Sequence, residues 1–237
     1  TIATNVETGV KWVIPLSLMD LLTTVTSGSG TIYVDTYNGS TKIGTKYCGF
    51  TATVPASVKP TCSIQVLDAT NIQDTYGNLV KGLSKLYVKT NFYAAYSSPV
   101  ASYNVNANGV RYTANEITTG VLSNAGTTTI TATVKDKRGR TSEAASASFP
   151  VLDYSPASVT KLSVSRCNED GTANKRGAYV KVTFSAAISS LNSKNNALYY
   201  LYYKKSTDSS YTKVSLTALT NQYSVSNYSY IFAAAAG

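Results

Sequence analysis

The sequence predicts an all-β fold of serial immunoglobulin-like and fibronectin-III-like β-sandwiches, on three observations. Strand formers dominate: Thr, Tyr and Val recur throughout, with 19 tyrosines against one tryptophan and one methionine, and branched or aromatic side chains suit a pleated, half-buried surface. Runs alternating with period two are separated by turn residues at intervals of roughly 8–12 residues, the spacing of a sandwich. Finally, Pro55-Ala56-Ser57-Val58 returns as Pro156-Ala157-Ser158-Val159, 101 residues on, each copy ahead of a cysteine-bearing strand. About 100 residues is one immunoglobulin-like domain. The repeat reads as a serial linker; chance recurrence in a Ser-, Ala- and Val-rich chain is the alternative.

The chain has 237 residues, 43% of them hydrophobic, enough for two or three domains of roughly 100–150 residues. Residues 1–55 are expected to form the C-terminal part of an upstream β-domain, residues 56–154 an immunoglobulin-like sandwich, and residues 155–237 a fibronectin-III-like sandwich that is open to truncation at its last strand. The opening Thr1-Ile2-Ala3-Thr4 has no initiator Met, so the chain is expected to be a portion of something longer.

In the first segment, Lys11-Trp12-Val13-Ile14 reads as a strand ending at Pro15. Ser17–Leu22 reads as one or two helical turns, and Ser27-Gly28-Ser29-Gly30 as a loop. Thr31–Tyr37 alternates, Asn38-Gly39 turns it, and Thr41–Val54 returns; Asn-Gly between alternating runs is a strong hairpin signal, since both residues tolerate positive φ. In the second segment, strands are expected at Thr61–Val66, Leu83–Thr90, Ala101–Val105, Val110–Thr113, Gly120–Val121, Thr127–Lys135 and Ala144–Leu152. In the third, they are expected at Val159–Arg166, Ala178–Ser185, Ala197–Lys205, Tyr211–Leu216 and Tyr223–Phe232, with a turn at Asn168–Gly171. Ala197–Lys205 is bulky on both faces and is expected to be a central strand or to lie under a neighbour.

The same residues exclude most chemistry. No histidine is present, which removes the commonest general base, the commonest metal ligand and any Ser–His–Asp triad within this chain. The twelve carboxylates fall mostly in turns and at strand ends, where they cap local backbone donors, so no catalytic pair is assigned. Asn168-Glu169-Asp170-Gly171 opens like a calcium loop, but Tyr179 stands where the bidentate Glu belongs, and a plain turn is expected. Gly28 and Gly30 lack the Lys-Ser/Thr and helix of a phosphate loop. Cys48, Cys62 and Cys167 have no CxxC spacing. Their odd number points to buried or reduced thiols, with a Cys48–Cys62 bridge left open. No apolar run reaches the ~20 residues of a membrane span, and the N-terminus lacks the basic and apolar regions of a signal peptide. No catalytic, cofactor-binding or metal-binding residue is assigned, and no cofactor, nucleic acid or membrane is expected.

The net charge is +9. Its densest group is Lys135, Lys137, Arg138 and Arg140, interleaved with Asp136 and Gly139 between two alternating runs. Asp136 and Gly139 are assigned to the turn: Gly139 is to supply a positive φ, and Asp136 to accept turn amides or pair with an arginine. Lys135, Lys137, Arg138 and Arg140 are the candidates for contact with an acidic neighbour. If the turn is structural, Gly139→Val is expected to destabilise by about 1 kcal/mol or more and Arg138→Ala by less than about 0.5 kcal/mol.

Several stretches resemble a family of siphophage minor structural proteins, mostly of unknown function, from phages and prophages of Gram-positive bacteria. They are Trp12-Val13-Ile14-Pro15, Asp35-Thr36-Tyr37-Asn38-Gly39 with Ile43-Gly44, Val54–Pro60, Gly126–Thr141, Val151–Pro156, Ser165-Arg166-Cys167-Asn168 and Asp170-Gly171-Thr172. The resemblance implies a phage-tail virion component in the tail tip, baseplate or a fibre, non-catalytic, acting as spacer and docking module. Its implied partners are other virion proteins, further copies of itself and, as an alternative, a cell-wall glycopolymer. A carbohydrate- or receptor-binding module, favoured by the tyrosines and the positive charge, and a bacterial surface adhesin region are the competing readings.

Overall fold

Alternating side chains in this sequence become strand ladders almost everywhere, and what decides each sheet is which alternate residues find cover. The computed structural model describes residues 1–234; the last three residues of the alanine-rich end lie outside it. In chain order the strands are β1 (Ser27–Asn38), β2 (Thr41–Thr53), β3 (Thr61–Asp68), β4 (Leu79–Val80), β5 (Leu86–Tyr93), β6 (Val100–Ala107), β7 (Val110–Tyr112), β8 (Glu116–Thr118), β9 (Gly126–Asp136), β10 (Ala145–Leu152), β11 (Ser158–Cys167), β12 (Tyr179–Ala187), β13 (Tyr200–Tyr203), β14 (Thr212–Ser215) and β15 (Ser224–Ala233). One short α-helix, α1 (Ile72–Tyr76), and 3₁₀ turns at Leu16–Leu21 and Thr217–Leu219 are the helical elements among the described residues. The all-β expectation holds.

The chain divides into two compact units. The first comprises Thr1–Leu67, Tyr87–Thr119 and Thr129–Ser148. It holds the β1–β2 hairpin, the sheet β3-β5-β8 and the strand order β10-β9-β6-β7. Its core is built from alternate residues: Val88 on β5, Val105 and Ala107 on β6, Ile117 on β8, and Ile130, Ala132 and Val134 on β9 are all buried. The second comprises Asp68–Leu86, Gly120–Thr128 and Phe149–Gly237. There β4 pairs in parallel with the end of β10, Leu79 opposite Val151. A sheet β11-β12-β15 and a ribbon β13-β14 complete it. Phe184, Ala186, Leu216, Leu219 and Val225 form its buried cluster, with Tyr199, Val214, Tyr228 and Tyr230 packed around it.

Several expected elements differ. Lys11–Ile14 is not a strand: it joins no ladder among the described residues, Val13 is 75% exposed, and Trp12 alone is half-buried, edge-on to Phe50 at 6.0 Å. Ser27–Gly30 is the start of β1 and not a loop, paired from Ser27↔Thr53 to Gly30↔Phe50. Its glycines serve close approach, since a Cβ on Gly30 would run into the Phe50 ring and one on Gly28 into the Leu22 side chain. The hairpin loop is Gly39-Ser40, with Asn38 still paired to Thr41 and the positive φ (+60°) on Gly39. Gly120–Val121 forms no strand; the ladder falls earlier, on Glu116–Thr118, where Ile117 reaches the core. The tyrosine-rich strand is not central: β13 pairs with β14 alone among the described residues, and Tyr200 and Tyr202 are 45% and 54% exposed. Lys213 Nζ sits 3.9 Å from the centre of the Tyr200 ring, so a flexible cation shields the outer face that a neighbouring strand was expected to cover.

All three cysteines are free thiols: Cys48 is exposed, Cys62 half-buried and Cys167 buried.

Candidate interaction surfaces

The basic turn lies wholly within the first unit. β9 alternates inward to Val134 and Asp136, and the chain must then reverse. Asp136 does this with its backbone and side chain together. Its N–H donates to Arg140 O at 2.9 Å, its carbonyl accepts from Gly139 N at 3.0 Å, and its Oδ1 accepts from Arg140 N at 2.8 Å. Gly139 has φ +87°, and an added Cβ would meet nothing within 4 Å, so the demand there is on backbone conformation and not on space. Asp136 is fully buried, and its Oδ2 has no partner among the described residues.

The four cations around this turn divide two and two. Lys135 and Lys137 are exposed, while Arg138 is buried at 6% exposure and Arg140 half-buried. The Arg138 guanidinium donates to four backbone carbonyls: Met19 at 2.8 Å, Leu22 at 2.7 Å, Ala95 at 2.6 Å and Tyr96 at 2.7 Å. Two of these belong to the Leu16–Leu21 turn and its exit, where Met19 O also accepts the Leu22 N–H at 3.0 Å and the Arg138 guanidinium ties that end to the reversal after β9. The other two belong to a loop where Tyr96 and Ser97 both hold positive φ, +47° and +55°, a conformation costly for residues with a Cβ. Ser97 Oγ donates to Asp20 Oδ1 and Ser98 Oγ to Thr23 O, at 2.8 and 2.7 Å. Arg140 donates to the carbonyls of Val54, Pro55 and Val58. It thus holds the first copy of the Pro-Ala-Ser-Val repeat. The small effect expected of Arg138→Ala does not follow from this placement, because the guanidinium is inside and donates four hydrogen bonds. For contact with a neighbour, Lys135 and Lys137 have exposed side chains without an ion pair among the described residues.

The other turns behave as local caps. Asp170 Oδ1 accepts Thr172 N at 2.8 Å and Thr172 Oγ1 at 2.6 Å, and Gly171 has φ +84°; this is an Asx turn. Asp68 ends β3 and accepts Thr70 N, Thr70 Oγ1 and Gln73 N at 2.9, 2.5 and 2.7 Å. Burial alone would push its carboxyl up, but the Thr70 hydroxyl and the amides of Gln73, Thr70 and Ile72 outweigh it and hold the pKa below its ordinary value. Among the described residues no three His, Cys, Asp or Glu side chains come together, and no helix is long and apolar enough to cross a membrane.

Sequence reasoning missed two apolar surfaces. In the first unit, Leu18, Leu21, Phe50 and Val54 help line a groove of about 410 Å³. Beyond it, the β1–β2 hairpin leaves Tyr33, Val34, Tyr37, Ile43 and Tyr47 exposed, each by 55% or more. In the second unit, Val159, Leu162, Phe184, Leu198 and Leu201 help line a groove of about 470 Å³. The signal was the alternation of β11 itself, which marks Leu162 and Val164 as inward-facing without saying what covers them.

A family model described as a siphovirus protein of unknown function, DUF859, matches residues 1–197. Every stretch quoted above for the phage resemblance lies within those residues. No curated protein matches the chain.

Proposed function

The chain belongs to the DUF859 family of siphovirus proteins of unknown function, and from that premise we propose that it is a non-catalytic structural component of the phage tail, in the tip, baseplate or a fibre. The observation that carries this reading is the surface. A two-stranded hairpin of 12- and 13-residue strands stands with aromatic and aliphatic residues exposed along its length, and such a ribbon is marginal in water until something packs on it. Serial immunoglobulin-like and fibronectin-III-like modules, with boundaries near 55/56 and 154/155, act as spacers. Exposed sheet faces, together with Lys135 and Lys137, dock other virion proteins and further copies of the chain. The test is a phage carrying a nonsense mutation in this gene, grown with and without a suppressor. Incomplete or malformed tails without suppression support the reading; normal, infectious particles lacking the protein contradict it.

One observation favours a second reading, a module that binds cell-wall glycopolymer. Tyr200, Tyr202 and Tyr211 are exposed on one ribbon, with Lys213 and Lys204 beside their rings. Aromatic faces stack on sugars and lysines attract anionic polymer. Retention on purified cell walls at low and moderate salt supports it, and no retention in either contradicts it.

A further inference from the structure

The segment between β12 and β13 is wound with the costly hand. Leu191, Asn192 and Ser193 hold φ of +49°, +58° and +60° in succession. Residues with a Cβ rarely adopt this left-handed turn, and it persists only where its surroundings over-determine it. Here they do. The Leu191 side chain is buried. Lys194 N donates to Leu191 O at 3.2 Å and Asn195 N to Ser190 O at 3.1 Å. Asn195 Nδ2 donates to Ser189 O and Tyr223 Oη to Asn195 O, at 2.8 and 2.7 Å. Ile188 N donates to Tyr223 O and Asn221 N to Ala197 O, so both ends of the turn are fastened to the stretch leading into β15. A connection between two strands does not by itself call for this hand, so the reason lies in what the turn presents.

It presents two side chains to the chain on the far side of Pro156. The Ser189 hydroxyl accepts Ser155 N–H at 2.8 Å and donates to Ser155 O at 3.0 Å. Lys194 Nζ lies over the C-terminal end of α1, where a Cβ added to Gly77 would stand 3.2 Å from it and where a cation is favoured. That region is itself tied to the start of the linker. β4 pairs with the end of β10, Lys81 N donates to Leu152 O at 3.0 Å, and Lys81 Nζ meets Asp153 Oδ1 at 2.9 Å. The ion pair is exposed and weak on its own, so the backbone bonds carry that side. The contacts close a ring, all of it within the second unit. It runs from α1 to β4, from β4 to Leu152 and Asp153, along the chain to Ser155, across to Ser189, and through the left-handed turn and Lys194 back to α1. A linker with free surroundings swings about its own φ and ψ; one inside a ring of contacts cannot swing without breaking one of them.

We infer that the Ser189–Asn195 turn is a strap that locks the joint at Asp153–Pro156, so that the strands β11 to β15 are carried by α1, β4 and the end of β10 and do not hang from a free linker. A stiff joint lets a spacer transmit orientation from one module to the next. It rests on the module boundary near 154/155 proposed above, and its test is in solution and fails separately from the virion reading.

Native-state hydrogen exchange and limited proteolysis of the 237-residue chain test the lock. The Ser155 amide should exchange at least about tenfold more slowly than in an unstructured peptide, and chymotrypsin should leave the Tyr154–Ser155 bond intact under native conditions. Lys194 lies outside the linker, yet Lys194→Ala should speed exchange at Ser155 and open that bond to cleavage, while exchange in β12 and β15 stays unchanged. Ser189→Ala should do the same. The double variant should be cleaved no faster than the faster single variant, because a ring broken once is open. Lys175→Ala, at an exposed position outside the ring, should leave both readings unchanged. Free exchange at Ser155 in the unsubstituted chain overturns the proposal, a reading that holds even if a substitution perturbs folding. Lys194→Ala that leaves Ser155 as protected as before overturns it as well, since Ser189 and Lys194 would then be separate local caps.

Discussion

Leu162 stands directly opposite Phe184 in the β11–β12 pair, yet Leu162 is 65% exposed and Phe184 8%. Two residues on one face of one sheet therefore differ in what they contribute to the folded monomer. Phe184→Ala should cost about 3 kcal/mol or more, because it removes the ring that Tyr199 and Tyr228 pack on at 6.2 and 5.7 Å. Leu162→Ala should change monomer stability by less than about 0.5 kcal/mol. Urea unfolding of the dilute protein checks the contrast.

Arg138 makes the opposite point for a charged residue. Truncation to Ala removes the guanidinium donor from the carbonyls of Met19, Leu22, Ala95 and Tyr96, of which Met19 and Ala95 keep a backbone donor in Leu22 N–H and Ser98 N–H, at a cost on the order of 3 kcal/mol. Lys137→Ala, at an exposed position in the same turn, should cost less than about 0.5 kcal/mol. If Lys137→Ala weakens attachment to the particle while leaving stability unchanged, the exposed lysines are the docking charges. Thermal unfolding of the two variants separates the roles.

Much of this was legible in the sequence, and the limits have physical causes. The hairpin at Gly39, the turn at Gly139 and the β9 alternation are local, and local rules find them. The burial of Arg138 is not local: it depends on carbonyls more than 40 and more than 115 residues away in the chain, and a cluster of like charges reads as a solvated surface until the fold brings those acceptors together. Gly28 and Gly30 looked like a loop because Gly marks loops and close packing alike; only the position of Phe50 decides between them. The exposed inner face of β11 escaped because alternation reports which way a residue points, not whether anything lies there.

Gly139 should be sensitive to backbone conformation alone. Gly139→Val should destabilise by about 1 kcal/mol or more, and Gly139→Asn by clearly less, since Asn tolerates the left-handed region. No Cβ clash exists to confuse the comparison. Equal losses in chemical denaturation would mean that φ at this position is not the determinant.

Asp68 should impose an acid limit on the second unit. Its carboxyl is held below the ordinary value when folded, so its contribution is fully present above the unfolded pKa near 4 and is lost as pH falls through the lower folded value. Asp68→Asn should lower stability at neutral pH and flatten the decline below about pH 4. Parallel pH profiles of the two proteins would contradict this.

Thiol accessibility gives an independent check on the ladder assignments. Cys48 on β2 is exposed and Cys167, at the end of β11, is buried. An alkylating reagent should modify Cys48 first and Cys167 only on unfolding; early modification of Cys167 would place the end of β11 elsewhere.

We propose that this siphovirus protein is built into the phage tail. Quantitative mass spectrometry of gradient-purified particles, with immunogold labelling of the same preparation, tests it most directly. Peptides of this chain should appear at a stoichiometric ratio to the known tail proteins, with gold confined to the tail. Its absence from purified particles, with the protein found only in the infected cell extract, would contradict it.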